Sequence, residues 1–160
     1  MVAQQDVYTR PIKEVMNRDV VTINAAASIH EALILMEENR VTTLPVIDNS
    51  DHVVGILSSS DLVDMTRDVD DDVYALDHAD PLSQRFLVEK LIHSMGSESI
   101  QSFMSETVAT VESESSILEA TRKMLRAQIH HLPVTDSKGK LVGIVSTMDI
   151  LGEFADAASA

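Results

Sequence analysis

The stretches GILSSSDLV (Gly55–Val63) and GIVSTMDIL (Gly143–Leu151) lie 88 residues apart and follow one pattern. Each reads glycine, two apolar residues, serine, any two residues, aspartate, two apolar residues. Moving the chain by 88 residues lays 11–66 on 99–154 without a gap, and 18 of the 56 positions are identical. The matches include Met16/Met104, Val20/Val108, Thr22/Thr110, SI at 28/116, EA at 31/119, LPV at 44/132 and Asp48/Asp136. Two copies are too few for a solenoid and point to two like units.

Each copy has the same plan. A short extended segment, VVTI (20–23) or VATV (108–111), leads into a helix. Ser28 with Glu31, and Ser116 with Glu119, have the spacing of a capping box, in which each side chain satisfies an amide at the helix start. Ile29, Ala32, Leu33 and Met36, and then Ile117, Ala120 and Met124, recur at helical spacing. The strands TLPVID and HLPVTD follow, then the polar turns NSDH and SKGK, then the strands VVGIL and LVGIV. The Ser…Asp motif opens a last helix. The expected order is β-α-β-β-α, twice, in an α+β chain.

Between the copies, 67–98 opens with the acidic, turn-rich RDVDDDVYALDHADP. Leu82, Phe86, Leu87, Leu91, Ile92 and Met95 then predict an amphipathic helix over about 82–95. The run from Asp68 fails as a calcium-binding EF-hand loop, because its sixth residue is Val73 rather than glycine and its twelfth is Ala79 rather than glutamate. It reads as a solvated linker.

Composition narrows the function. Twelve Lys and Arg face 26 Asp and Glu, a net charge of −14. So acidic a surface repels phosphate backbones and anionic lipid, which argues against nucleic acid and membranes as partners. Aromatics are 3% of the chain, so the core is aliphatic. There is no cysteine, which removes disulfides, zinc–thiolate sites and thiol catalysis. No signal peptide or membrane span is expected from the N-terminus or from any apolar run. A cytoplasmic protein is the default reading.

The repeated string LPV-x-D … VG-apolar-apolar-S-x-x-D-apolar-apolar, with its apolar-Thr-apolar lead and S-I-x-E-A, resembles the cystathionine-β-synthase (CBS) domain. The resemblance covers both copies. It implies CBS domains at 11–66 and 99–154, paired through their sheets into a pseudo-twofold Bateman module without an attached catalytic domain. It also implies clefts between the domains that take adenosine-containing ligands, and a homodimer.

Ser58 with Asp61, and Ser146 with Asp149, admit two compatible roles. Serine with an acid three residues on is itself a capping box. At these two sites, however, the acid is Asp rather than Glu, which is expected to be too short for the best reach back to the cap amide. It would thus be free to bind a vicinal diol, with the preceding glycine allowing close backbone approach and the helix start favouring an anion. In the family the matching Ser and Asp hold ribose and phosphate. The resemblance also carries over Val20, Val21, Thr22, Thr43, Leu44 and Pro45 in the first copy. In the second it carries over Val108, Ala109, Thr110, His130, His131, Leu132 and Pro133. Adenine would lie on aliphatic side chains and bond to backbone groups.

Adjacent His130 and His131 point opposite ways on a strand, which argues against a metal site. One of them could face the cleft and meet a phosphate when protonated. Residues 11–66 carry 3 basic and 9 acidic side chains, whereas 99–154 carry 5 and 7, with Arg122, Lys123 and Arg126 on one helix. If only one cleft is occupied, the Asp149 motif is expected to contribute to it, since phosphates need cations or amides. No Gly-x-Ser-x-Gly elbow or Gly-rich phosphate loop is present, so an enzyme is not expected.

The functional expectation is a regulatory sensor of AMP, ADP or ATP, with S-adenosylmethionine or NAD as other ligands, signalling to an unknown regulated protein. No obligatory cofactor is expected. The alternative is a ligand-free oligomerisation or interaction scaffold.

Overall fold

The computed structural model describes residues 6–62 and 99–158. The expected helix at 82–95 lies outside the described residues. In the first copy, β1 (Ile23–Asn24), α1 (Ile29–Asn39), β2 (Thr43–Ile47) and β3 (Val53–Ser58) are followed by a helical turn at 59–62. In the second, β4 (Val111–Glu112), α2 (Ile117–Ala127), β5 (His131–Thr135) and β6 (Leu141–Ser146) lead into α3 (Thr147–Ala158). The expected β-α-β-β-α order is present in both, and the fold class is α+β.

Each copy holds a three-stranded sheet, in the orders β1-β2-β3 and β4-β5-β6. β4 runs parallel to β5 and pairs only with its end, Val111 with Val134 and Glu112 with Thr135. β5 and β6 are antiparallel, with His131 opposite Ser146 and a bulge at Val134/Thr135. The lead strands are shorter than the sequence suggests. Of the expected 20–23 and 108–111, only Ile23 and Val111 are in strands. In the second copy this follows from the ladder, since the parallel pairing engages only the last two residues of β5.

Helix boundaries follow the caps. Ser28 Oγ accepts from Glu31 N–H at 3.2 Å and Glu31 Oε2 accepts from Ser28 N–H at 2.7 Å, completing the box. Ser116 Oγ accepts from Glu119 N–H at 3.2 Å, but among the described residues Glu119 returns no bond to the Ser116 amide, so the expected box is only half formed. Both helices end on a left-handed residue, Arg40 and Gln128, each with φ of 54°. The polar turns are tied by Asp48 and Asp136, whose Oδ1 atoms accept amides two and four residues on, at 2.8–3.0 Å. These bonds hold both carboxyls below the usual aspartate range.

The described residues form two compact units, and neither is a single run of chain. One unit holds 6–20, 47–53 and 107–158 and the other holds 21–46, 54–62 and 99–106. Ile12 and Met16, which lead into the first copy, sit in the core of the second copy with Ile117, Leu132, Val134 and Val145. Ile100, which leads into the second copy, sits in the core of the first with Ile29, Leu44, Val46 and Leu57. The bonds are equivalent in both units. Ile12 N–H donates to Ser115 O at 2.8 Å, and Ile100 N–H donates to Ala27 O at 3.0 Å. Asn17 and Ile144 exchange two bonds at 2.9 Å, and Ser105 and Ile56 exchange two at 3.1 Å.

Candidate functional site

Ser146 ends β6 and immediately precedes α3, which puts Asp149 in the first helical turn. Asp149 Oδ2 accepts from Ser146 N–H at 2.7 Å and from Ser146 Oγ–H at 2.8 Å, while Ser146 Oγ accepts from Asp149 N–H at 3.1 Å. The first copy repeats this at Ser58 and Asp61, with 2.7, 2.8 and 3.3 Å. The expectation that Asp is too short to reach the cap amide is therefore wrong. At this position the helix brings the carboxylate back over the serine, and the shorter side chain closes the box as tightly as Glu31 does. Asp149 is thus not a free carboxylate. Its hydrogen bonds among the described residues use Oδ2, and Oδ1 is the oxygen left for a ligand.

The glycine before each motif also has a different task. The expected role was close approach of backbone to ligand. Gly143 is instead covered by Met16, whose Sδ would stand 2.5 Å from a Cβ added there. Gly55 is covered in the same way by Met104, again at 2.5 Å. The missing side chain makes room for a methionine of the lead-in segment, so both glycines belong to the packing.

The remaining candidates divide by burial. Leu44 and Leu132 are 0% exposed, and Pro45 and Pro133 are buried with them. The two leucines lie in the cores of their units, and the prolines are buried at the neighbouring strand positions. Val108, Ala109, Thr110, His131, Ser146 and Asp149 are half-buried and fall in one compact unit. Val21, Thr22, Thr43, Ser58 and Asp61 are half-buried in the other, whereas Val20 is grouped with the first.

His131 and His130 differ, but not by alternation along a strand as expected: His131 opens β5, whereas His130 lies in the bend before it. His131 is half-buried and paired with Ser146 across the ladder; His130 is exposed and its carbonyl accepts from Thr147 N–H at 3.0 Å. Burial lowers the His131 pKa, the positive charge of His130 adds to this, and Asp149 opposes it. The half-buried ring thus favours the neutral form, which offers an anion one N–H donor but no charge.

One residue was absent from the sequence-derived site. Lys123 Nζ donates to the carbonyl of Thr110 at 2.9 Å and lies 3.5 Å from Glu119 Oε1. Sequence shows the basic cluster on α2 but not which member turns toward the strand. Among the described residues no group of three or more His, Asp or Glu side chains is arranged to hold a metal ion, and no helix is long and apolar enough to cross a membrane.

The CBS-domain sequence model matches residues 12–68 and 100–156, so the chain belongs to the CBS-domain family and carries the domain twice. A CBS domain-containing protein of Dictyostelium discoideum is 30% identical over 141 residues, covering 88% of each chain. The chloroplastic CBS domain-containing protein CBSX1 of Arabidopsis thaliana is 29% identical over 153 residues, covering 91% of this chain and 63% of that one. A crystal structure of CBSX2 in complex with AMP superposes with a TM-score of 0.68 at 25% identity, covering 92% of this chain and 98% of that chain.

Proposed function

We propose that the chain is a regulatory module that binds an adenosine-containing nucleotide at one or both of its Ser…Asp sites, AMP being the first candidate. The observation that carries the reading is the likeness, over almost the whole of both chains, to a CBS pair solved with AMP. The half-buried Thr, Ser and Asp of each copy support it, as does a helix start with one carboxylate oxygen unengaged. In this reading Oδ1 of Asp149 or Asp61 accepts from the ribose diol, and the helix start favours the phosphate. Binding shifts the chain between arrangements that a partner protein reads, and does so only through a difference in affinity for them. The module catalyses no reaction and acts as a homodimer.

Calorimetric titration with AMP, ADP, ATP, S-adenosylmethionine and NAD tests this. Heat with at least one ligand is expected, with loss of affinity in Asp149→Ala or Asp61→Ala. Silence from all five overturns the reading. A ligand at 100 times its dissociation constant adds about 2.7 kcal/mol of stability, which a thermal melt detects.

A second reading has one observation in its favour: both capping boxes are complete within the chain itself. A ligand-free scaffold needs nothing more from these residues. An unshifted melt with every adenosine ligand, together with self-association in sedimentation, would support it.

A further inference from the structure

We propose that Lys123 makes the site of the second copy selective for phosphate-bearing adenosine ligands over uncharged ones, a discrimination its counterpart in the first copy lacks. The inference rests on the nucleotide reading above and assigns a residue and a ligand charge within it.

The two copies superpose position by position in sequence, and Lys123 corresponds to Leu35. The lysine reaches from α2 to the Thr110 carbonyl, 13 residues back, and its side chain is 39% exposed. Thr110 corresponds to Thr22 and belongs to the lead segment of the candidate site. An ammonium has three donors. One is spent on Thr110, and Glu119 at 3.5 Å is a weak second partner. The side chain is partly exposed and already held in place, so less rotamer freedom is lost when a ligand arrives.

This arrangement separates ligands by charge. An uncharged ligand gains no ion pair from the ammonium. An anionic one uses the ammonium where it stands. In a chain of net charge −14, a cation held in place favours the approach of a phosphate. Arg122 and Arg126 share the helix but are exposed, whereas leucine at position 35 offers the first copy neither charge nor donor.

The test is titration of AMP and adenosine into wild type, Lys123→Leu and Lys123→Arg, each checked by thermal melt. Leucine is the residue the first copy tolerates at this helix position, so the fold is expected to survive. Lys123→Leu should weaken AMP at one site about tenfold, as loss of a charged hydrogen bond does, while adenosine binds equally well or better. Lys123→Arg should keep the preference for AMP. If wild type binds both ligands and Lys123→Leu leaves their ratio unchanged, the assignment of Lys123 is overturned and the nucleotide reading stands. If wild type binds neither, the assignment of Lys123 is overturned, and the nucleotide reading falls only if ADP, ATP, S-adenosylmethionine and NAD are silent as well.

Discussion

At the scale of single residues, the Ser…Asp pairs combine two demands on one carboxylate. Oδ2 holds the helix start, and a ligand is left only Oδ1. Removing Asp149 therefore costs stability as well as affinity, and a melt has to accompany every titration. Ser146→Ala gives the size of the cap: it should cost about 1 kcal/mol, as the loss of a helix cap does, and chemical denaturation measures it. His131 gives a further expectation. Its pKa in the fold lies below its ordinary 6.5 because burial disfavours the cation. Between the folded value and about 6.5 the unfolded chain holds the extra proton, so acidification through that window lowers stability. Wild type should lose more melting temperature between pH 7.5 and 5.5 than His131→Asn does. Equal losses would show that His131 does not titrate this way. The depressed carboxyls Glu31, Asp48 and Asp136 stabilise above their unfolded values, 4.5 for Glu31 and 3.8 for the two Asp, and lose that contribution only in stronger acid, outside this window.

At the scale of elements, the lead-in turns and the Gly-containing strands depend on each other. Met16 lies over Gly143 on β6, and Met104 lies over Gly55 on β3. The two contacts are not equally tolerant. The three atoms nearest a Cβ at Gly55 all belong to the flexible Met104 side chain, which can swing aside. At Gly143 it would also stand 3.0 Å from the backbone oxygen of Asn17, which is held by its exchange of bonds with Ile144. Gly143→Ala should therefore cost about 1–3 kcal/mol, the usual range for overpacking, and Gly55→Ala distinctly less. Urea denaturation of the two variants decides it, and equal costs would show that Asn17 gives way. The same elements explain identities that the motif alone does not. Ile12/Ile100 and Met16/Met104 recur because each lead-in turn fills an equivalent place in a core.

At the scale of the whole molecule, charge dominates. Twenty-six acidic side chains against 12 basic ones leave a net −14 at pH 7, and such a surface repels itself in the compact state. Raising the ionic strength from 0.01 to 0.15 M shortens the Debye length from about 30 to about 8 Å. The melting temperature should rise over that range. No rise would mean that the carboxylates are offset by local bonds such as those of Glu31, Asp48 and Asp136. The same excess of acid gives a lone cation such as Lys123 its weight in the choice of ligand.

The sequence by itself determined the repeat, the order of elements in each copy, both kinds of helix cap and the family, because each rests on local spacing that recurs in register. It also pointed to the half-buried Thr, Ser and Asp positions. It misjudged Asp149 and Asp61 as free, since the reach of a side chain to its own cap depends on helix geometry that composition does not show. It did not show that Leu44, Pro45, Leu132 and Pro133 are buried, because burial is a property of what packs on a strand. Only the tertiary structure decided that Met16 and Met104 take the space above the glycines, and that Lys123 rather than Arg122 or Arg126 meets Thr110. Those contacts join residues distant in the chain, or select one rotamer among several, and no periodicity in the sequence encodes either.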